Sequence, residues 1–245
     1  MSAISLSAVS KRFILHHERP RSFQELLLHL VHRRNGEKET FWALRDVSFN
    51  VEHGETLGII GENGSGKSTI MKLIGRILEP TSGQVTVNGR VAALIELGAG
   101  FHPDLTGREN IFLLGSIMGI STREMQRRFD GIVGFAELEQ FIDTPIKHYS
   151  SGMATRLGFA VAINLDADIL LIDEVLAVGD LHFQEKCLNT LDEFQRKGIT
   201  MLFVSHDLNL ITRFCHRALL LNHGRVIASG PAKEVVEQYT NMALA

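Results

Sequence analysis

Cysteine is scarce in this 245-residue chain. Only Cys187 and Cys215 occur, without the spacing or companions of a zinc or redox motif. Each reads as a small buried hydrophobe, so a disulfide framework and a cysteine-held metal are excluded, and a reducing cytosol suits the chain. Long apolar runs are missing as well. The longest, Ile169–Ile172 and Ala218–Leu221, have the length of buried strands and fall far short of the roughly 18 residues that span a bilayer. The protein is therefore expected not to be a channel itself. Met1–Arg12 shows no cleavable signal pattern. Charge of one sign is not in excess: 25 Lys+Arg stand against 28 Asp+Glu, a net charge of −3. Such a balance gives no electrostatic attraction to a phosphate backbone, so no nucleic-acid partner is expected. Internal repeats and low-complexity segments are absent too.

What is present is an alternation of elements over an apolar fraction, 44%, large enough for a sizeable core. Strand-like runs recur at Ile4–Val9, Asp46–Val51, Thr56–Ile60, Gln84–Val87, Val91–Ile95, Asp168–Asp173, Thr200–Ser205 and Arg217–Asn222. Helical patterns separate several of them, which predicts an α/β fold with a mostly parallel core sheet. Residues 106–164 are almost wholly helical in pattern and read as a helical subdomain inserted between two strands. A second insertion, about 15–40, lacks strand alternation. Its Ser22-Phe23-Gln24-Glu25 can open a helix, and Phe23, Leu26, Leu27, Leu30 and Val31 form one apolar stripe closed by Arg33, Arg34 and Gly36. His16, His17, His29 and His32 in this insertion lack a ligand spacing and read as polar surface.

Gly61-Glu62-Asn63-Gly64-Ser65-Gly66-Lys67-Ser68 fits the phosphate-binding P-loop in full, directly after one strand and at the start of a helix running to about Ile77. Glycines let successive N–H groups turn inward toward phosphate oxygens, and the helix start adds its positive end. Lys67 is expected to reach the β- and γ-phosphates and Ser68 to bind Mg²⁺; Thr69 completes the nucleotide-binding residues of this segment. The apolar strand Ile169–Ile172 ends in Asp173-Glu174, where α/β folds place ligands. Asp173 is expected to hold Mg²⁺ and Glu174 to polarise the attacking water as general base. Together these predict an ATP-hydrolysing enzyme.

Tyr149-Ser150-Ser151-Gly152-Met153, with Arg156 beyond it and Asp173 23 residues after Ser150, resembles the signature motif of ABC transporter ATPases, usually Leu-Ser-Gly-Gly-Gln. Tyr149, Ser151 and Met153 depart from it, while Ser150 and Gly152 match the positions that the resemblance places against a γ-phosphate. Ser150 would also cap a helix. Asp180 resembles the aspartate of the family's D-loop, which contacts an opposing subunit, and His206 its switch histidine, which contacts the γ-phosphate. An adenine-stacking aromatic is expected from the same likeness; Phe13, in Lys11-Arg12-Phe13, and Trp42 both remain open for it. The family's usual glutamine between core and helical subdomain is missing from Glu96–Thr106. Leu97-Gly98 fall near its place, and Glu96 is the nearest polar residue.

The insertion after Phe13, the Leu97-Gly98 loop and the signature variant are together similar to the ATPases that power export of lipid-linked polysaccharide: O-antigen, capsule or teichoic acid. The resemblance implies a P-loop cassette with a mostly parallel core sheet, an antiparallel β region and an inserted helical subdomain. The same likeness implies ATP and Mg²⁺ as cofactors, a separate integral membrane permease that handles the glycan, and a peripheral location on the cytoplasmic face of the inner membrane. It also implies a head-to-tail homodimer, in which Ser150 and Gly152 of one chain close over the nucleotide of the other. The C-terminal carbohydrate-binding domain of some members is not expected here. The Phe23–Val31 helix would lie on the membrane or pack on the cassette. The alternatives are an ABC ATPase for another exported substrate and a non-transport ABC switch. The second would ordinarily bring two cassettes or a long coiled coil, neither of which is in the sequence.

Overall fold

A computed structural model describes residues 2–15, 39–94, 100–173 and 179–243. Two long strands, β1 (Ser2–Leu15) and β2 (Glu39–Glu52), pair antiparallel and are joined on the far side of β1 by β4 (Ser82–Val87), in the order β2-β1-β4. The second sheet has six strands in the order β5-β6-β7-β3-β8-β9. These are β3 (Thr56–Ile60), β5 (Val91–Leu94), β6 (Ile169–Asp173), β7 (Thr200–Val204), β8 (Arg217–Asn222) and β9 (Arg225–Pro231). All run parallel except β9, which folds back on β8.

The central strands are buried on both faces, which is why they read as unbroken apolar runs. Their side chains divide by the two-residue period of a strand. Leu57, Ile59, Leu171, Leu202 and Val204 face the antiparallel sheet and the helix α1 (Lys67–Ile74). Ile60, Leu170, Ile172, Met201 and Phe203 face the opposite layer. That layer holds α5 (Leu181–Arg196), α6 (Leu208–Phe214) and α7 (Ala232–Ala243).

Between the neighbouring parallel strands β5 and β6 lie α2 (Gly107–Ile117), α3 (Thr122–Ala136), a 3-10 turn (Ile146–His148) and α4 (Ser151–Ile163). They surround an apolar cluster of their own, built on Ile111, Met125, Phe129, Ile132, Leu157 and Val161. Thr106 opens α2 through a full capping box with Glu109, which satisfies donors that a helix start otherwise leaves open. Asn110 is wholly buried: its amide donates to the carbonyls of His102, Leu105 and Thr106 and its Oδ1 accepts from His102 N–H. One side chain thus ties down the loop leading into the helical region.

The mixed α/β expectation with an antiparallel region and an inserted helical unit is what the chain forms. Several boundaries differ. α1 stops at Ile74 rather than near Ile77, because Arg76 turns to φ 57°. β1 runs on to Leu15, and β2 starts at Glu39. β9 was not anticipated: only one of its faces is covered, so its exposure alternates and it carries no apolar run. The Phe23–Val31 helix and residues 95–99, with Glu96, Leu97 and Gly98, lie outside the described residues.

Candidate functional site

β3, β6 and β7 end in one row: Asp173 pairs with Val204, and Val204 with Ile59. The chain leaves β3 at Gly61, whose φ of 149° favours glycine; a Cβ there would stand 2.1 Å from the Leu221 carbonyl oxygen. The loop then folds over its own lysine. Lys67, 7% exposed, donates from Nζ to the carbonyls of Gly61 (2.7 Å) and Glu62 (3.0 Å). Gly66 caps α1 without any side-chain hydrogen bond, which leaves the helix start to external acceptors. The Ser65 hydroxyl is buried without a partner, and the Ser65 carbonyl accepts from Gly224 N–H in the β8–β9 turn (2.9 Å). That turn also accepts from Arg45 N–H of β2 (2.8 Å), so the loop is braced by both sheets.

Over this loop opens a cavity of about 390 Å³. Asn63, Gly64, Gly66, Lys67, Ser68 and Thr69 of the loop and helix line it together with Asp173. Phe13 and Phe41 add an aromatic wall, and Ala43 lies against Gly66. Phe13 and Phe41 are paired across β1 and β2, and so are Arg12 and Trp42. Opposed residues of an antiparallel pair share a face and successive residues alternate. Hence the two phenylalanines face the cavity together, while Trp42 stacks under the Arg12 guanidinium, 5.5 Å from its ring centroid, and takes no part in the wall. Phe41 is not marked by any local pattern in the sequence; the strand register supplies it.

The cavity thus unites Phe13, most of the Gly61–Thr69 segment and Asp173. Its lining suits a nucleotide: a buried ammonium, an uncapped helix start, and an apolar aromatic wall. Ser68 and Asp173 bring two oxygen ligands to the same place, as a hard divalent cation requires. Glu174 lies outside the described residues. His206 is exposed, two residues beyond Val204 and so between the ends of β3 and β6 in strand order, but it does not line the cavity.

Ser150 and Gly152 do not line it either. Ser150 caps α4, its Oγ accepting from Met153 N–H (3.2 Å). Tyr149, where the signature usually has leucine, donates its hydroxyl to the Phe141 carbonyl (2.8 Å) and packs on Gly107; burial raises its pKa. Asp180 caps α5 by accepting from Phe183 N–H (2.9 Å), and Arg156 reaches its other oxygen (2.6 Å). The Phe183 N–H and then the Arg156 charge hold that carboxyl below the usual range.

The sequence model of the family described as ABC transporter matches residues 44–177. This chain belongs to the ABC transporter family. It is an ATPase cassette that binds ATP. The cassette is 45% identical to the O-antigen export system ATP-binding protein RfbB of Klebsiella pneumoniae over 96% of both chains. It is 42% identical to the teichoic acids export ATP-binding protein TagH of Listeria innocua, over 96% of the cassette and 69% of that protein. Among solved structures it resembles the dimeric, post-hydrolysis ATP-binding cassette MJ0796 bound to ADP and Pi, with TM-score 0.74, 25% identity, and 94% and 98% of the two chains covered. No helix among the described residues is long and apolar enough to cross a membrane.

Proposed function

We propose that this cassette powers export of a lipid-linked polysaccharide, of the O-antigen or teichoic acid kind, through a separate membrane permease. The observation that carries this reading is likeness to the O-antigen export protein across nearly the whole of both chains, joined to a cavity with nucleotide-binding chemistry. The cassette works at the cytoplasmic face of the membrane, docked on the permease, which handles the glycan.

In this reading Phe13 and Phe41 hold the base and the Gly61–Thr69 segment holds the phosphates. Lys67 exchanges its two carbonyl acceptors for phosphate oxygens, which offer it charge as well as hydrogen bonds. Mg²⁺, held by Ser68 and Asp173, would neutralise phosphate charge. Glu174, next in sequence to Asp173, takes the proton of the attacking water, and His206 approaches the γ-phosphate from the end of β7. Ser150 and Gly152 are absent from the wall around Lys67, so donors on the far side of the phosphates come from a second chain. A two-fold, head-to-tail homodimer supplies them reciprocally.

The test has two arms. Glu174→Gln should retain ATP binding and lose turnover by roughly 10²-fold or more; near-normal turnover removes Glu174 from this role. Expression of the cassette with its permease in a strain lacking the O-antigen export ATPase should restore surface polysaccharide. Restoration by the Glu174→Gln form as well would refute the motor reading.

A further inference from the structure

A row of alternating charges crosses the seam between the helical region and the core. Glu137 caps the end of α3 in a left-handed conformation, φ 58°. One of its oxygens accepts from Lys186 of α5 (3.2 Å) and the other from Arg156 of α4 (3.1 Å). Arg156 spends the second arm of its fork on Asp180 (2.6 Å). The row runs Lys186, Glu137, Arg156, Asp180, with the inner pair on the helical region and the outer pair on the core.

Beneath it lies an aromatic trio. Phe135 of α3, Phe159 of α4 and Phe183 of α5 have ring centroids 5.7–6.2 Å apart. Both cations rest on this trio, Arg156 4.9 Å from the Phe183 centroid and Lys186 4.6 Å from that of Phe135. Exposed ion pairs contribute little, but the side chain of Arg156 is only 19% exposed and lies on an aromatic face, where a cation is held more firmly. Gly179 turns at φ 73°, and a Cβ there would stand 3.2 Å from Arg156 Nε, so the turn before Asp180 is moulded on the guanidinium.

Arg156 sits on the same helix that Ser150 caps, yet it does not line the cavity. We propose that Arg156 is a positioning residue. It clasps the Gly179–Asp180 turn to α4, so that this turn and the Ser150–Gly152 corner move as one body. Two carboxylates are gripped at once by separate arms of one planar fork, a fixed geometry that the rotatable ammonium of lysine does not impose. The consequence for assembly rests on the proposed head-to-tail dimer: both surfaces offered to the partner chain would then arrive in fixed relation.

The experiment uses the full chain in the Glu174→Gln background, with Arg156→Met and Arg156→Lys. In hydrogen exchange of the free protein, the Phe183 amide, which donates to Asp180, should exchange about tenfold faster in Arg156→Met and by an intermediate factor in Arg156→Lys. Amides of β7, remote from the clasp, should not change, which excludes general unfolding. Affinity for ATP below the dimerisation threshold should stay within twofold, while ATP-driven dimerisation weakens about tenfold or more, the order expected for losing a hydrogen bond to a charged group. Unchanged Phe183 exchange in Arg156→Met overturns the clasp, whatever the dimer does. If the Glu174→Gln parent fails to dimerise, the dimer reading falls and the exchange result alone decides for or against the clasp. If the parent dimerises and Arg156→Met matches it, the one-body claim is overturned. Should Arg156→Met not fold, Arg156→Lys keeps the charge and the same comparisons apply; full wild-type behaviour in it would overturn the need for a fork.

Discussion

Removing the aromatic wall of the cavity tests the strand register directly. Phe13 is half-buried and Phe41 is 50% exposed, so each offers one free ring face to a ligand. Stacking of a base on an aromatic ring is worth about 1–3 kcal/mol by alanine substitution. The open setting places each ring near the lower end, so Phe13→Ala and Phe41→Ala should each weaken ATP about 5- to 10-fold. Both rings serve one base, so the double substitution should cost about 2–3 kcal/mol, or roughly 30- to 160-fold. Trp42 lies one residue along the strand on the other face, over Arg12. Trp42→Leu should leave affinity within twofold and cost only the exposed cation–π contact, about 0.5–1 kcal/mol of stability. Titration with a fluorescent ATP analogue gives the affinities, and urea unfolding gives the stability. Steady-state hydrolysis should show KM rising with kcat unchanged in the phenylalanine variants, because stacking serves ground state and transition state alike. A loss of affinity in Trp42→Leu equal to that of Phe13→Ala would refute the reasoning, as would unaltered affinity in the double phenylalanine variant.

Gly61→Ala should destabilise the chain by about 1–3 kcal/mol from backbone strain alone, with the Leu221 carbonyl clash added, and should abolish nucleotide binding; urea unfolding and the same titration measure both. Asn110→Leu strands the His102 N–H, at about 1–3 kcal/mol, while the carbonyls of His102, Leu105 and Thr106 keep their backbone donors. Its melting temperature should fall accordingly. Burial pushes the thiols of Cys187 and Cys215 up to about 12. Neither should react with a thiol reagent at pH 8 until the chain unfolds. Their folded pKa is raised, so the stability they add is present below the usual thiol range, pKa 9.0, and is lost as pH climbs from there toward 12. A thermal-unfolding series over that range reads the loss, and rapid labelling of the native protein would contradict the burial.

Local chemistry made much of this protein legible in its sequence. The Gly61–Ser68 loop is contiguous, and its glycines, lysine and following helix are dictated by near neighbours, so pattern and conformation coincide. The same holds for Ser150 as a helix cap and for the apolar strands β3, β6 and β7, whose burial on both faces leaves an unbroken hydrophobic run. β9 was not legible, because its conformation depends on pairing with β8 and not on its own composition. The sequence does not choose between Phe13 and Trp42 for a related reason: two residues on neighbouring strands share a face only once the β1–β2 register is set, and a shift of one residue would exchange the two faces. Phe41 became visible through that pairing alone. Asn110 and the Arg156 clasp belong to the same class, since their partners lie up to eight residues away in one case and on two other helices in the other. Sequence neighbours decide what a segment of backbone can do; which distant side chains meet is decided by packing, and here packing decided which aromatics face the nucleotide cavity and which charges lock the helical region to the core.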